Sequence, residues 1–507
     1  IQVTSKNSSS QNMDLKKLVL DKSVEGKPVI FVAASGGGTR AAVYTTAVLA
    51  GLREIDQLEN VVLASGVSGG GMSLAYFSAN RNYLLADIPD DCSPDNKNPE
   101  QTNQLNAWCD YFDVVSDNHI RYVASHVGNT DIYTDTSLGQ YLADSFKHTF
   151  AIHHERIRDN KELKPENYYK DLDELQGMGL ILNTALVGHP YHESNILDNA
   201  LSLFEKEQKN SQGEALFYKI NAGGRLIFTN LKNVSAFPGN TPGNLITDAR
   251  DVEFKYLIGG GSNIPLPTIG ALTANFPPVF PNAIVKLGDR RFRVTDGGAV
   301  ENRGLVSLLY AIRSMLEQLG SEEMISLPVM HIVMAEASGE SINYKNYMTG
   351  LTAKSNSSVM IANQLILELK GIMEEKCKDH CKNKLKFHYL SMPLMMRARG
   401  GLGTHWKMPT LVTFNIPSLD KDKSDAPREL KGYETICLIQ ELFAQDINKR
   451  SSPEISTNMS TESDHKHCKK TMEGSLRAAF LAEKTDLQNA WRSLETELGH
   501  KLTNPKP

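Results

Sequence analysis

The chain has 507 residues, of which 40% are hydrophobic and 22% charged, and it carries a net charge of −5. These values are typical of a globular protein with a substantial core, and the length allows two to four domains. The acidic balance argues against nucleic acid as the main partner. No apolar run approaches the roughly 18 residues of a membrane-spanning helix, so a bilayer lipid would have to be reached from the membrane surface.

The first 27 residues are predicted to form a flexible segment. Residues 4–12 are rich in serine and asparagine, a composition that buries little apolar surface. The chain begins at Ile1 rather than at a methionine, as expected where a targeting segment has been removed or the chain has been trimmed.

Residues 28–71 predict a strand–helix–strand unit. Two short apolar runs, 29–33 and 61–64, each end in a glycine-rich turn, and a helical pattern lies between them. Such a unit requires a parallel sheet, in which both turns lie at the carboxyl edge where ligands bind.

The second turn reads GVSGG at residues 66–70 and fits the pattern G-x-S-x-G. In a nucleophile elbow the glycines permit a sharp turn from strand to helix, and this turn exposes the serine oxygen. A flexible glycine-serine turn is the alternative, but the position directly after an apolar strand favours Ser68 as a nucleophile.

The first turn reads SGGGTR at residues 35–40. It fits a loose dinucleotide fingerprint, but the next strand ends in the serine turn rather than in an acidic residue, and Gly-Lys-Ser/Thr is absent. Glycines that open a helix leave backbone N–H groups for an anion, which beside Ser68 would be an acyl-transfer oxyanion. Arg40 opposes the helix dipole, so a role outside helix stability is one interpretation and a solvated surface arginine is the other.

The next acidic residue in a glycine-flanked turn is Asp296, in the run RVTDGG at residues 293–298. A hairpin turn is the alternative. However, the following residues have helical periodicity from Leu305 to Leu316, with Asn302 as the predicted cap.

These motifs, in this order, resemble those of the patatin-like acyl hydrolases. The Ser-Gly-Gly-Gly-x-Arg form is similar to the cytosolic phospholipase A branch, whereas Asp-Gly-Gly is closer to patatin. An Asn-x-Gly at residues 302–304 and a Phe-Pro-Pro at residues 276–278 extend the resemblance over about residues 28–305.

The resemblance implies a three-layer α/β/α fold with a mainly parallel central sheet and helical or loop insertions. It also implies hydrolysis of phospholipids or other long-chain acyl esters without a cofactor. Ser68 would attack the ester carbonyl, Asp296 would take its proton, and the amides of Gly37 and Gly38 would form the oxyanion hole. Arg40 would contact lipid phosphate or support the hole.

Two other interpretations remain open. An α/β-hydrolase triad would need a histidine, for which His331, His388 and His405 are candidates. A catalytically silent lipid- or nucleotide-binding scaffold could retain the glycine turns without reacting. Loss of rate on histidine substitution would indicate the triad, and failure of an organophosphonate to label Ser68 would indicate the scaffold.

Three regions are expected along the chain. After the flexible segment 1–27, a catalytic domain spans 28–345 with an insertion at about 85–175, and a mainly helical portion spans 346–507 and packs on it. An apolar stripe from Ile361 to Met373, followed by a lysine cluster, predicts a core-facing helix; a lid or membrane-docking helix is the alternative.

The six cysteines favour disulfides and an extracytoplasmic or peripheral membrane location. Cys92 and Cys109 bracket a polar loop. A zinc site at Cys377, His380 and Cys381 is disfavoured, because no second ligand pair follows.

Overall fold

The computed structural model describes the residues in the following ranges: 2–3, 13–85, 107–117, 119, 141–147, 150, 171–186, 191–192, 225–231, 265–276, 283–287, 290–337, 349–381, 383–392 and 485–498.

Ten described strands form one mixed sheet. They are β1 (Gln2–Val3), β2 (Val29–Ala34), β3 (Val61–Val67), β4 (Gly179–Leu186), β5 (Tyr191–His192), β6 (Arg225–Thr229), β7 (Ala283–Leu287), β8 (Arg290–Asp296), β9 (Met330–Glu336) and β10 (Leu385–Ser391). The order is β1-β7-β8-β4-β3-β2-β9-β10, with β6 also on β4 and β5 also on β8. The neighbours from β4 to β10 pair in parallel, which confirms the predicted parallel centre.

The described helices surround this sheet. They are α1 (Leu15–Val24), α2 (Thr39–Glu54), α3 (Ser68–Leu84), α4 (Ala107–Ser116), α5 (Leu266–Thr273), α6 (Leu305–Gln318), α7 (Ser321–Ser326), α8 (Thr349–Cys377) and α9 (Thr485–Glu497). Residues 141–147 are also helical. None of the helices in the described ranges is long and apolar enough to cross a membrane.

Strand β2 shows why the fold has three layers. All six of its side chains are buried. Ile30 and Val32 pack into the core formed with α2 and α3, whereas Val29 and Phe31 pack into a second core formed with α1, α6 and α8. A strand covered on both faces needs a continuous apolar run, which is what the sequence provides. The predicted α/β/α architecture is therefore confirmed.

Helix α8 faces the core, as the preferred interpretation of its stripe requires. Leu365, Leu369 and Met373 are buried in the core that α6 also lines. Met360 and Leu367 are exposed, so α8 still presents some apolar surface to solvent.

The structure differs from the predicted regions at two places. Within the predicted flexible segment, residues 15–24 form α1, whose Val19 is fully buried. Strand β10 falls in the region predicted to be mainly helical, yet it pairs along its length with β9. The central sheet therefore crosses the predicted boundary at residues 345–346.

Cys377 and Cys381 form a disulfide at the end of α8, so they are not zinc ligands. Cys109 is also disulfide-bonded, whereas Cys92 lies outside the described residues. These bonds agree with the expectation of disulfides, and no further pairing is assigned.

Candidate active site

The serine turn forms a sharp junction between β3 and α3. Val67 is the last residue of the strand and Ser68 the first of the helix. Ser68 has a φ of 52°, a left-handed conformation that is uncommon for a residue with a side chain and costs on the order of 1–3 kcal/mol. Strain of this kind is expected in a nucleophile elbow.

The two glycine-rich turns lie directly against each other. A Cβ atom added at Gly69 would lie 1.9 Å from the carbonyl oxygen of Gly38, and one added at Gly36 would lie 3.2 Å from Cβ of Ser68. A side chain at Gly69 would therefore force the turns apart. This close packing places the first turn beside Ser68.

The first turn leaves two backbone donors available. Gly37 and Gly38 have φ values of 142° and 65°, and in the described part of the chain no acceptor is bonded to either N–H. Arg40 lies alongside, because its Nη2 is 3.4 Å from the position of a Cβ on Gly37.

Asp296 ends β8, next to β4 in the sheet, and its side chain is buried. Its Oδ1 accepts a hydrogen bond of 2.7 Å from the Gly298 N–H. Burial raises the pKa of Asp296 to about 6, although hydrogen bonding from Ser68 and Gly298 lowers it in part. The aspartate is therefore a stronger base than an exposed one.

The Ser68 hydroxyl lies beside the Asp296 carboxyl, where hydrogen bonding from it lowers the pKa of the aspartate. Asp296 Oδ2 accepts no hydrogen bond from the described residues. Catalytic hydrogen bonds are often loose before substrate binds and tighten in the complex. The predicted residues Ser68, Asp296, Gly37, Gly38 and Arg40 are thus gathered in one place.

Two of the three histidines considered for a triad, His331 and His388, lie away from this place. His331 is paired with Ile30 on β2. Ile30 precedes Ala34, the last residue of β2, by four residues, so His331 lies about 13 Å along the strands from the glycine-rich turn. The ring of His388 contacts that of His331. His405 lies outside the described residues.

Three polar residues near the elbow have contacts that the sequence did not reveal. Thr273 Oγ1 accepts a 3.1 Å hydrogen bond from the Ser68 N–H and donates to the Asn183 carbonyl. The Asn183 amide donates to Ser65 Oγ and to the Gly66 carbonyl, both at 3.1 Å. This network holds the strand end and the first helical N–H, which has no partner within its own helix.

Asn302 also lies at the site rather than at a helix cap. Its carbonyl accepts the Gly36 N–H at 2.8 Å, and its Oδ1 is 2.7 Å from the position of a Cβ on Gly298. The residue that caps α6 is Gly304, while Glu301 accepts from the N–H groups of Arg303 and Leu305. The predicted cap at Asn302 is therefore wrong, and Asn302 instead links the first glycine-rich turn to the turn that follows Asp296.

Thr273 offers a test of this support. Thr273→Val should remove the acceptor for Ser68 N–H and leave two buried polar groups unpaired, costing about 1–3 kcal/mol of stability. We expect kcat to fall at least tenfold, because the elbow loses its anchor, with a smaller effect on KM. Thr273→Ser keeps the hydroxyl and should retain nearly full activity. Ester hydrolysis and thermal unfolding measure both effects, and equal kcat values for the valine and serine variants would contradict the positioning role.

Comparison with protein families supports the motif resemblance. The family model described as "Patatin-like phospholipase" matches residues 32–309, more than half of the chain. The chain belongs to the patatin-like phospholipase family.

Among solved structures, the chain is similar to human GIVD cytosolic phospholipase A2, with 13% sequence identity and a TM-score of 0.22. The alignment covers 63% of this chain and 48% of that chain, so this chain spans about half the length of that protein. At this TM-score the alignment is too loose to equate individual residues. No curated protein matches the chain significantly.

Proposed function

We propose that this protein hydrolyses acyl esters of membrane lipids with a Ser68–Asp296 dyad. The observation that carries the proposal is the strained Ser68 at the elbow beside the buried carboxyl of Asp296. Asp296 accepts the proton of the Ser68 hydroxyl, and Ser68 Oγ attacks the ester carbonyl carbon to form a tetrahedral oxyanion.

The backbone N–H groups of the first glycine-rich turn carry the partial positive charge that stabilises this oxyanion. The N–H groups of Gly37 and Gly38 are available donors next to Ser68, and fixed donors of this kind stabilise an oxyanion in a site that excludes water. Collapse of the intermediate expels the alcohol, which takes the proton from Asp296, and leaves an acyl group on Ser68. Water activated by Asp296 then releases the fatty acid.

Arg40 is assigned a supporting role. Its guanidinium lies over Gly37, where a positive charge favours either the oxyanion or the phosphate of a phospholipid. The substrate is taken from a membrane surface, in keeping with the lipid substrates of the family. The Cys377–Cys381 disulfide supports an extracytoplasmic or peripheral membrane location.

The function is tested with a fluorophosphonate probe and a lipid assay. We expect the probe to label Ser68, as located by peptide mass mapping, and the protein to release fatty acid from phospholipid vesicles. Pre-labelling should abolish that release. An unlabelled Ser68 with no release of fatty acid would instead indicate a silent scaffold.

The pH dependence follows from the pKa of Asp296. Because the base must be ionised and its pKa is about 6, kcat/KM should rise about tenfold per pH unit below pH 6 and level off above it. The measurement is ester hydrolysis between pH 4.5 and pH 8.5, with the background rate subtracted. A profile that is flat across pH 5–7 would contradict the assignment of Asp296 as the base.

A further inference from the structure

Two histidines on neighbouring strands face each other beneath the C-terminal helix. His331 on β9 and His388 on β10 are buried. His331 Nδ1 lies 3.1 Å from His388 Nε2, and the two rings are 17° from parallel. Their separation of 57 residues hides this pair from any short motif.

A carboxylate from α9 completes the cluster. Glu497 Oε2 lies 3.7 Å from His388 Nε2, and the three ligand atoms of His331, His388 and Glu497 are all within 4.8 Å of one another. The Glu497 side chain is 32% exposed, so it can turn, whereas the two rings are held by the sheet.

We propose that His331, His388 and Glu497 bind one Zn²⁺ ion, which fixes α9 against strands β9 and β10. Two imidazole nitrogens and one carboxylate oxygen are a ligand set that zinc uses when water fills the fourth position. Imidazole ligands favour zinc or a similar transition metal over Mg²⁺ and Ca²⁺, which prefer oxygen ligands.

The distances suit the ion with little movement. Tetrahedral zinc with bonds of about 2.0–2.1 Å places neighbouring ligand nitrogens roughly 3.3 Å apart, close to the observed 3.1 Å. To reach the same separation, the carboxylate oxygen has to move by about 0.4 Å relative to His388 Nε2 and by up to about 1.5 Å relative to the ligand atom of His331. A small rotation of the exposed Glu497 side chain supplies this movement.

Lys386 is the competing cation. Its Nζ is 3.9 Å from Glu497 Oε2, which is a weak contact between partly exposed groups. The lysine side chain is 36% exposed and can turn into solvent when the ion binds.

This site is distinct from the catalytic one. His331 lies about 13 Å of strand before the level of the glycine-rich turn, since it pairs with Ile30 whereas Ala335 pairs with Ala34. The ion would therefore act on stability. It would join β9, β10 and α9, elements that are distant in sequence.

The test is a Zn²⁺ titration of the full-length, EDTA-treated protein by calorimetry, together with thermal unfolding. We expect wild type to bind Zn²⁺ saturably and its Tm to rise as the site fills. Glu497→Gln keeps the shape of the side chain but weakens a metal ligand, so its affinity should fall at least tenfold. Glu495→Gln, on the same helix, is the matched control and should bind like wild type.

The chain contains 14 histidines, so Zn²⁺ can also bind outside the proposed site. The variants distinguish Zn²⁺ binding at the site from Zn²⁺ binding elsewhere. His388→Gln should lose the same binding event as Glu497→Gln. Equal Zn²⁺ affinity and equal Tm increase in wild type and Glu497→Gln would overturn the proposal, as would a wild type that Zn²⁺ does not stabilise. Glu497 is exposed, so a folding defect in the His388 variant would not prevent this comparison.

Discussion

Replacing Ser68 by alanine is expected to reduce kcat/KM for ester hydrolysis by on the order of 10⁴-fold or more. The change removes the only atom that the proposed mechanism allows to attack the carbonyl. The oxyanion donors at Gly37 and Gly38 would remain, and they alone leave only a small residual rate. Hydrolysis of a fluorogenic medium-chain ester and of phospholipid vesicles measures the effect.

A matched control lies on the same helix. Ser78 is buried on α3 like Ser68, but among the described residues its hydroxyl donates a hydrogen bond only to the sulfur of Met178, at 3.8 Å. Ser78→Ala should therefore keep nearly full activity. Full activity in Ser68→Ala would place the nucleophile elsewhere and reject the proposed mechanism.

The strain at Ser68 provides an independent check on the elbow. Alanine has the same difficulty as serine in adopting a φ of 52°, whereas glycine adopts it without cost. Ser68→Gly should thus be more stable than Ser68→Ala by about 1 kcal/mol, while both are inactive. This order of stability is expected if the conformation of Ser68 serves catalysis although it destabilises the fold.

The parts of the site that could be predicted from sequence are those encoded in short runs. The turns at residues 35–40 and 66–70 each follow an apolar strand, so their position at the sheet edge followed from the strand–helix–strand pattern. Asp296 was found in the same way. In each case the signal lies within about ten residues. Hydrophobic periodicity and glycine-rich turns are patterns of this length.

The contacts that hold the site could not be found in this way. Thr273 and Asn183 are 90 residues apart, and only the fold brings them beneath Ser68. The one available signal was Asn183 as a polar residue within an apolar strand, since a buried amide requires partners. It indicates a network but does not identify its members.

Strand β10 was missed for a different physical reason. It is the last strand of the order formed by the described residues, and it includes Lys386, the buried His388 and the exposed Phe387 and Tyr389. An edge strand carries charge and exposes part of its apolar surface. Following directly on a lysine-rich helix end, this pattern is hard to distinguish from a continued helix. The His331–His388 pair was hidden with it.

Replacing Asp296 by asparagine is expected to lower kcat/KM by about 10³–10⁴-fold, because asparagine cannot take the proton of Ser68. The same change should stabilise the fold at neutral pH. Burial raises the pKa of Asp296 from 3.8 to about 6, so the folded wild type binds this proton more tightly than the unfolded chain does. Its stability therefore falls as the pH rises from about 4 to 6.

Asparagine carries no charge, so the unfolding free energy of the variant does not fall over this pH range. The variant should exceed wild type by about 1–3 kcal/mol in unfolding free energy at pH 7.5, with the difference vanishing near pH 4. Thermal unfolding at both pH values tests the sign. An inactive variant that is less stable than wild type at pH 7.5 would show that the carboxylate is held by favourable contacts and would contradict the raised pKa.

The triad alternative is settled by the same enzyme assay. His405→Ala should retain activity if the Asp296 carboxylate takes the serine proton directly, because a dyad needs no histidine. In a triad the aspartate only orients the histidine and is not itself protonated. Loss of activity in His405→Ala with the fold intact, together with a pH profile unchanged by Asp296→Asn, would identify histidine as the base. Activity kept in His405→Ala and lost in Asp296→Asn would instead assign the proton transfer to Asp296, whose burial makes it basic enough for that task.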